Sequence, residues 1–132
     1  MTEAAVDYWG RAKETWKAAR LLLDISPDSA AGRAYYAAFY AVSAWFLLED
    51  KIFHKHFAVE AAVHRDLVKA GIVPVAFGED FSALVRSRNI GDYGGVQHVS
   101  KEEAAEAIDR AAAILRTVAA LRPDTFEDSP ST

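Results

Sequence analysis

Residues 27–50 read PDSAAGRAYYAAFYAVSAWFLLED, the most apolar stretch of the chain that is long enough for a complete helix. Its apolar and aromatic side chains cover almost the whole circumference of a helix, which is typical of a central helix packed on several sides. Ser26 stands before it as an N-cap residue, and Pro27 takes the first helical position, where its missing N–H is tolerated. The sequence therefore predicts a core helix from about Pro27 to Asp50.

Four other stretches place apolar residues at steps of three and four, a spacing that predicts helices. They are residues 3–23, 54–70, 77–88 and 101–121. The last of them begins with a capping box, because Ser100 is followed three residues later by Glu103. Three glycines predict a loop or a helix break from Asn89 to Val99.

The order of these elements predicts the fold class. No segment alternates apolar and polar residues, and the connections between the helical stretches are short. We therefore expect an all-α protein, an up-and-down four-helix bundle with an additional short helix. We expect one helical domain over residues 1–122. Residues 123–132 are expected to form a mobile C-terminal tail with nothing to pack against.

Composition limits what the protein can be. The chain has 132 residues, of which 52% are hydrophobic and 26% charged, a balance typical of one folded domain. Lys and Arg total 15 against 19 Asp and Glu, a net charge of −4, so any nucleic-acid site has to be a local patch. The absence of cysteine excludes disulfides, thiol catalysis and cysteine-ligated metals.

Sequence signals also bear on localisation and cofactors. The first residues lack the basic start and apolar block of a signal peptide. The longest apolar-rich stretch, Tyr35 to Leu48, is shorter than the roughly 18–20 residues that span a bilayer. We therefore expect a soluble, cytoplasmic protein that has no membrane contact. No Gly-rich phosphate loop or nucleophile elbow occurs, and no cofactor is expected.

The segment RSRNIGDY, residues 86–93, is the most informative for chemistry. Arg86 and Arg88 offer planar, bidentate donors to phosphate oxygens, and Tyr93 can stack on a base or donate a hydrogen bond. The alternative is that both arginines pair with surface acids while Asp92 caps the helix break. The spacing alone leaves both interpretations open.

Tyrosines of the central helix raise a similar choice. Tyr35, Tyr36 and Tyr40 can stack on bases, or they can pack in the core beside the other aromatic rings of this helix. Core packing is the main expectation. Arg33 and Tyr36 are the pair that we expect to border a cleft and to bind a nucleotide or phosphate.

Three potential metal ligands follow one another at steps of four: His56, Glu60 and His64. A helix places all three on one face, but the third lies about two turns from the first, too far to close one coordination sphere. We therefore predict no metal site here, and we expect His56 and His64 to be surface or interface histidines.

Several segments, taken in chain order from Trp9 to Leu121, resemble those of one family. They are RAYYAAFYA (residues 33–41), His56 with Val59, LVKAG (residues 67–71), RNIGDY (residues 88–93) and SKEEA (residues 100–104). The chain resembles the HEPN family (higher eukaryotes and prokaryotes nucleotide-binding domain). RNIGDY is similar to the Arg-x-x-Ala-Asp-Tyr signature of a small stand-alone bacterial and archaeal branch.

The resemblance implies a helical bundle that forms a homodimer, with the arginine-containing segments of both subunits meeting in one cleft. Family members include metal-independent ribonucleases and toxins paired with a small nucleotidyltransferase. In catalytic members an arginine contacts the scissile phosphate, and a histidine that follows it after four to six intervening residues handles protons. Counted from Arg86, that histidine position falls on Gly91, while Tyr93 matches the family tyrosine. Glycine cannot transfer a proton.

Three hypotheses follow. The first is a protein that binds RNA or nucleotide phosphate through Arg86 and Arg88, as a toxin-like partner of a nucleotidyltransferase that modifies Tyr93. The second is an active metal-independent ribonuclease whose catalytic residues are drawn from the arginines, Asp92, Tyr93 and His98, with His98 or a partner-subunit side chain replacing the missing histidine. The third is an interaction module with an exposed aromatic face that includes Trp9 and Trp45.

Overall fold

The computed structural model describes residues 2–131, and within that range it holds five α-helices and no strand. Their bounds are α1 Thr2–Leu22, α2 Pro27–Leu48, α3 His56–Ala62, α4 Val75–Tyr93 and α5 Lys101–Leu121. The all-α prediction is confirmed, but the short helix is α3, with 7 residues, and the predicted short stretch 77–88 belongs to the 19-residue helix α4. No helix in the described range is long and apolar enough to cross a membrane.

Helix α2 occupies the centre of the bundle and packs against α1, α4 and α5. Its start is as predicted, because the Ser26 hydroxyl accepts a hydrogen bond from the Ser29 N–H at 3.2 Å and Pro27 opens the helix. Small side chains let the neighbouring helices approach closely. Ala30, Ala34, Ala37, Ala41 and Ala44 are all completely buried.

The third helix differs from its prediction in its winding. It begins at His56 and, after Ala62, continues as a π-helix over Val63–Val68. Gly71, with a φ of +80°, ends this segment in the left-handed region that glycine adopts without strain. The predicted stop is therefore confirmed, and the extra residue per turn changes the face on which later side chains lie.

Helix α4 runs to Tyr93, so the prediction of a loop from Asn89 is wrong over its first five residues. The reason is a tertiary contact. A Cβ on Gly91 would lie 2.6 Å from the Asp28 carbonyl oxygen of α2, so glycine allows the two helices to touch here. This contact outweighs the roughly 1 kcal/mol by which glycine disfavours a helix.

The segment after α5 packs against the bundle, contrary to the expectation that residues 123–132 have nothing to pack against. Phe126 is 1% exposed, and its ring centroid lies 5.2 Å from that of Trp9. The Trp9 indole N–H also donates to the Glu127 carbonyl oxygen at 2.7 Å. The Phe126 ring and the Glu127 carbonyl therefore hold this mostly polar segment against Trp9 of α1.

Tryptophan burial removes the exposed aromatic face expected for an interaction module. Trp9 is 2% exposed and Trp45 is 8% exposed, so both belong to the core. Trp16 is also buried, and its indole N–H donates to the Ile108 carbonyl oxygen of α5 at 3.0 Å. The three tryptophans pack inside the bundle and therefore do not form the exposed aromatic face that was expected to include Trp9 and Trp45.

Candidate functional site

Arg88 is the centre of a polar and aromatic cluster between α4 and α2. Its Nη2 donates to the Tyr36 hydroxyl at 3.0 Å and to the Tyr93 hydroxyl at 3.2 Å. The Arg88 side chain is 17% exposed, whereas Tyr93 is 70% exposed. The guanidinium is therefore held in place by its neighbours but remains open to solvent on the side of Tyr93.

Tyr36 brings a second cation to the same place. The Arg33 guanidinium carbon lies 4.7 Å from the Tyr36 ring centroid, and the Arg88 guanidinium carbon lies 5.5 Å from it. Arg33 takes part in none of the ion pairs formed among residues 2–131. Two guanidinium groups thus lie on one half-buried tyrosine. We call the site formed by Arg33, Tyr36, Arg88 and Tyr93 the Arg33–Arg88 cleft.

One carboxylate offsets part of this charge. Asp92 lies one turn after Arg88, and its Oδ2 is 3.2 Å from Arg88 Nε. Gly32 of α2 makes room for it, because a Cβ on Gly32 would lie 3.2 Å from Asp92 Oδ1. Nε of Arg88 is buried and has no well-aligned hydrogen-bond partner in the described residues. Asp92 therefore pairs with the buried Nε of Arg88 within α4, which corrects the expectation that Asp92 caps a helix break.

The surroundings keep Arg88 charged and the neighbouring Tyr35 neutral. Burial acts to lower the pKa of Arg88, but the hydrogen bond to Tyr36 and the nearby Asp92 carboxylate raise it above its ordinary value. Burial raises the pKa of Tyr35, whose ring lies 5.6 Å from the Arg88 guanidinium carbon, to about 12. The cleft therefore presents positive charge next to neutral aromatic rings at physiological pH.

Arg86 lies outside this cleft. Two residues turn an α-helix by about 200°, so Arg86 and Arg88 point to opposite sides of α4. Arg86 is exposed and lines a separate groove of about 240 Å³ between α4 and α5, with Glu103, Glu106 and Arg110. The two arginines predicted to bind phosphate therefore lie on different faces of α4, and only Arg88 lies with Tyr36 and Arg33.

Gly91 also lies outside the cleft, because its Cα faces the Asp28 backbone of α2. The family motif counted from Arg86 to Gly91 therefore falls on two residues that both lie outside the cleft. Counted from Arg88, a spacing of four residues ends on Tyr93, whose hydroxyl contacts that arginine. Tyr93 thus occupies the place in the cleft where the family spacing sets a histidine.

His98 is held away from the cleft. Its Nδ1 lies 2.6 Å from Asp28 Oδ2, while Asp28 Oδ1 accepts from the Val99 N–H at 2.7 Å. The hydrogen bonds from His98 and from the Val99 N–H lower the pKa of Asp28. Asp28 precedes Tyr36 by eight residues, about 12 Å along α2. His98 therefore fastens the loop after α4 to the start of α2 and does not meet Arg88.

His56 is the histidine that lies at the cleft. Its ring centroid is 4.6 Å from that of Phe39 and 5.3 Å from that of Tyr36. Burial and, secondarily, the positive charge of Arg88 lower the pKa of His56. Its imidazole is therefore neutral at physiological pH. From the sequence, we expected His56 to be a surface or interface histidine. The packing of α3 on α2 places it beside Tyr36, and no local sequence pattern encodes that packing.

Glu60 and His64 belong to a different arrangement. The Ser82 hydroxyl of α4 donates to Glu60 Oε2 at 3.0 Å and lies 2.8 Å from His64 Nε2. His56 takes no part in these bonds, so the three residues do not form one ligand set. No cluster of three metal-ligating side chains occurs among residues 2–131. The serine bridge joins α3 and its π-helical extension to α4.

Fold and site together describe a small all-helical domain with a cationic cleft lined by aromatic rings. The family model for the HEPN domain matches residues 5–121. This chain therefore belongs to the HEPN domain family, whose members are generally related to nucleotides or RNA.

Two relatives match nearly the whole chain. A UPF0332 protein of Thermotoga maritima is 36% identical over 124 residues, which cover 92% of this chain and 94% of that protein. A UPF0332 protein of Gloeobacter violaceus is 30% identical over 118 residues, which cover 88% of this chain and 94% of that protein. The resemblance stated from the sequence motifs is confirmed.

Proposed function

We propose that this protein binds RNA or a nucleotide through its phosphate groups in the Arg33–Arg88 cleft. One observation carries the proposal: the Arg33 and Arg88 guanidinium carbons lie 4.7 and 5.5 Å from the Tyr36 ring centroid. The chain has a net charge of −4, so this pair is a local concentration of positive charge on an acidic protein. Guanidinium groups bind phosphate oxygens through paired N–H donors.

Neighbouring groups suit the same ligand. Tyr36 and Tyr93 carry hydroxyls that can donate to phosphate oxygens, and the exposed Tyr93 ring can stack on a base. Asp92 lies 3.2 Å from Arg88 Nε, whereas among residues 2–131 the Nη nitrogens donate only to neutral acceptors, the two tyrosine hydroxyls and the Asn89 amide oxygen at 3.4 Å. Binding would replace the bonds from Arg88 to the tyrosine hydroxyls with stronger, charge-assisted bonds to phosphate.

A matched pair of arginine variants tests the proposal. Arg88→Ala is expected to weaken binding of a labelled short single-stranded RNA about 10- to 100-fold, because a hydrogen bond to a charged group is worth about 1.5–3 kcal/mol. Arg86→Ala removes the same charge two residues away and is expected to change the affinity less than threefold. Fluorescence anisotropy at fixed salt measures both, since phosphate binding depends on ionic strength.

Further variants separate binding from folding. Arg33→Ala is expected to weaken binding with only a small loss of thermal stability, because Arg33 makes no ion pair in the described residues and its contact with the Tyr36 ring is worth about 0.5–1 kcal/mol. Equal affinities for the wild type, Arg33→Ala and Arg88→Ala would overturn the proposal.

We further propose that two copies of the chain share this cleft as a homodimer. HEPN domains commonly dimerise. Phe57 follows His56 directly and is 71% exposed, which supports an apolar contact next to the cleft. Multi-angle light scattering should give twice the mass of one chain, and Phe57→Ser should shift the equilibrium towards the single chain.

We also propose Tyr93 as an acceptor for a nucleotidyltransferase partner, in a toxin-like pair. The reaction would move a nucleotidyl group from a nucleoside triphosphate to the Tyr93 oxygen and release pyrophosphate. The 70% exposure of Tyr93 supports access to this hydroxyl. Mass spectrometry after incubation with triphosphate and such a partner should find the adduct on the wild type and none on Tyr93→Phe.

A second candidate function, cleavage of the bound RNA without a metal ion, is favoured by the position of His56. A neutral imidazole next to an arginine that holds phosphate is a suitable proton acceptor. If this second function is correct, the protein cleaves RNA in the presence of a chelator.

A further inference from the structure

The cleft contains a histidine to which the family motif assigns no role. The position counted from Arg86 is Gly91, packed on the Asp28 backbone, and His98 is bonded to the Asp28 carboxylate. His64 is bonded to Ser82. His54 is exposed just before α3. His56 is thus the histidine that contacts the rings around Arg88.

We propose that His56 accepts the proton of a ribose 2′-hydroxyl in an RNA strand whose phosphate is held by Arg88. This inference rests on the proposed phosphate binding in the Arg33–Arg88 cleft. Tyr36 connects the two residues: its hydroxyl accepts from Arg88 Nη2 at 3.0 Å, and its ring centroid lies 5.3 Å from that of His56. A 2′-hydroxyl is adjacent to its own 3′-phosphate, so the two groups need protein partners that are close neighbours.

The ring nitrogens of His56 are available for such a proton transfer. His56 makes no side-chain hydrogen bond to the residues in the described range, whereas His64 and His98 each do. The contact with the Phe39 ring, at 4.6 Å between centroids, holds the imidazole through packing alone. A histidine kept in position without a polar partner can bind a substrate hydroxyl at no loss of an existing bond.

The charges facing His56 favour its neutral form, which a base requires. Arg88 of α4 is the cation among its neighbours, and burial raises the pKa of Tyr35 of α2 to about 12, so Tyr35 is neutral at physiological pH. Glu60, one turn further along α3, accepts a hydrogen bond from Ser82. Burial and Arg88 together lower the pKa of His56, so its imidazole stays unprotonated at neutral pH.

The step is an internal transesterification. His56 takes the 2′-hydroxyl proton, the 2′ oxygen forms a bond to phosphorus, and the bond from phosphorus to the 5′ oxygen breaks. The leaving 5′ oxygen takes a proton from the Tyr93 hydroxyl, which lies beside Arg88, and water then restores both side chains. The products are a 2′,3′-cyclic phosphate and a 5′-hydroxyl, and no metal or second reactant is consumed.

The experiment measures cleavage and binding separately in a chelator. Cleavage uses a labelled short RNA, and binding uses the same sequence with 2′-O-methyl riboses, which cannot be cleaved this way. His56→Gln is expected to reduce the cleavage rate roughly 100-fold or more, the usual contribution of a general base. Its affinity for the 2′-O-methyl strand should stay within threefold of the wild type. His54→Gln and His98→Gln are the matched histidine controls and should retain cleavage.

The outcomes are distinct. Wild-type cleavage that survives in His56→Gln would overturn the inference, and so would binding without any cleavage by the wild type, although phosphate binding would then stand. No binding of either strand would overturn the proposed function itself. If His56→Gln has a lowered melting temperature, the wild-type pH profile decides: cleavage should fall with acid, and, because the pKa of His56 is lowered, its midpoint should lie below about 6.5, the ordinary pKa of histidine.

Discussion

The two arginines of α4 lie two residues apart and have opposite surroundings. Arg88 faces α2, where the Tyr36 hydroxyl accepts its hydrogen bond and a second arginine lies on the Tyr36 ring, and the Tyr93 hydroxyl of α4 accepts another bond from it. Arg86 faces α5, in a groove that already contains Glu103 and Glu106. Both arginines have carboxylates nearby, since Asp92 lies 3.2 Å from Arg88 Nε. The difference lies in the second guanidinium: Arg110 in the α5 groove is paired with Asp80 and Glu106, whereas Arg33 makes no ion pair among residues 2–131. The site is therefore defined by the face of the helix, and the presence of an arginine in the motif is not sufficient.

Packing differs between the same two faces. On the α2 side, Gly91 meets the Asp28 backbone and Gly32 meets Asp92, so the helices are in close contact. On the α5 side, a groove of about 240 Å³ separates the helices near Arg86. The face that holds the cleft is thus the one that tolerates least change, and the following predictions test this contrast.

Gly91→Ala is expected to have the largest effect. The new Cβ would lie 2.6 Å from the Asp28 carbonyl oxygen, so α4 must move away from α2. We expect a loss of about 2 kcal/mol or more in the free energy of unfolding, and a melting temperature lower by roughly 8 °C. Urea unfolding followed by circular dichroism measures this.

Gly10→Ala is the control for helix propensity. No atom lies within 4 Å of the place of a Gly10 Cβ in α1, so alanine should stabilise the protein by about 0.5–1 kcal/mol. If both variants stabilised the protein, the close contact at Gly91 would be refuted.

Tyr36→Phe is expected to have the next largest effect. The change removes the hydroxyl that accepts from Arg88 Nη2 at 3.0 Å and leaves a partly buried donor without its partner. We expect a loss of about 1 kcal/mol in the free energy of unfolding. Tyr40→Phe, on the same helix, has no hydroxyl contact with Arg88 and serves as the comparison. A Tyr36→Phe variant as stable as the wild type would show that this bond contributes nothing to the α2 face.

Acid should weaken the tie between the loop after α4 and α2. The pKa of Asp28 is lowered by hydrogen bonds from His98 and the Val99 N–H, so the native state favours the carboxylate. This stabilisation is complete above the ordinary aspartate pKa of about 3.9, and it is lost as the pH falls through the lower native value. The stability difference between the wild type and Asp28→Asn, measured by urea unfolding from pH 6 to pH 2.5, should shrink with acid. A difference that stays constant over this range would contradict it.

Arg86→Ala should have the smallest effect. Arg86 is exposed and takes part in none of the ion pairs of residues 2–131, so its removal should change the free energy of unfolding by less than about 0.5 kcal/mol. Chemical denaturation of the variant beside the wild type checks this. A larger loss would mean that the α5 face is as sensitive as the α2 face.

Local patterns predicted most of the fold. Ser26 with Pro27 marks the start of α2, and the capping box at Ser100 marks the start of α5, because both signals act within one turn of chain. The end of α4 was mispredicted because Gly91 is a helix breaker by propensity and a helix-contact residue by packing. Only the position of Asp28 in space distinguishes these roles.

The candidate site was predicted in part. Arg33, Tyr36 and Arg88 were singled out and lie together, as their residue types suggested. Arg86 and His98 were singled out as well, but helix phase separates Arg86, and the bond to Asp28 holds His98. The role of His56 depends on how α3 packs across α2, a contact between distant segments that no sequence period encodes.

The contact between Trp9 and the segment after α5 has a consequence for folding kinetics. The bond from the Trp9 indole to the Glu127 carbonyl joins residues 118 positions apart, whereas α1 packs mainly on α2, the next helix in the chain. Closing so long a loop is unfavourable until the bundle exists, so this contact should form after the rate-limiting step of folding. The contact would then lower the unfolding rate and leave the folding rate nearly unchanged.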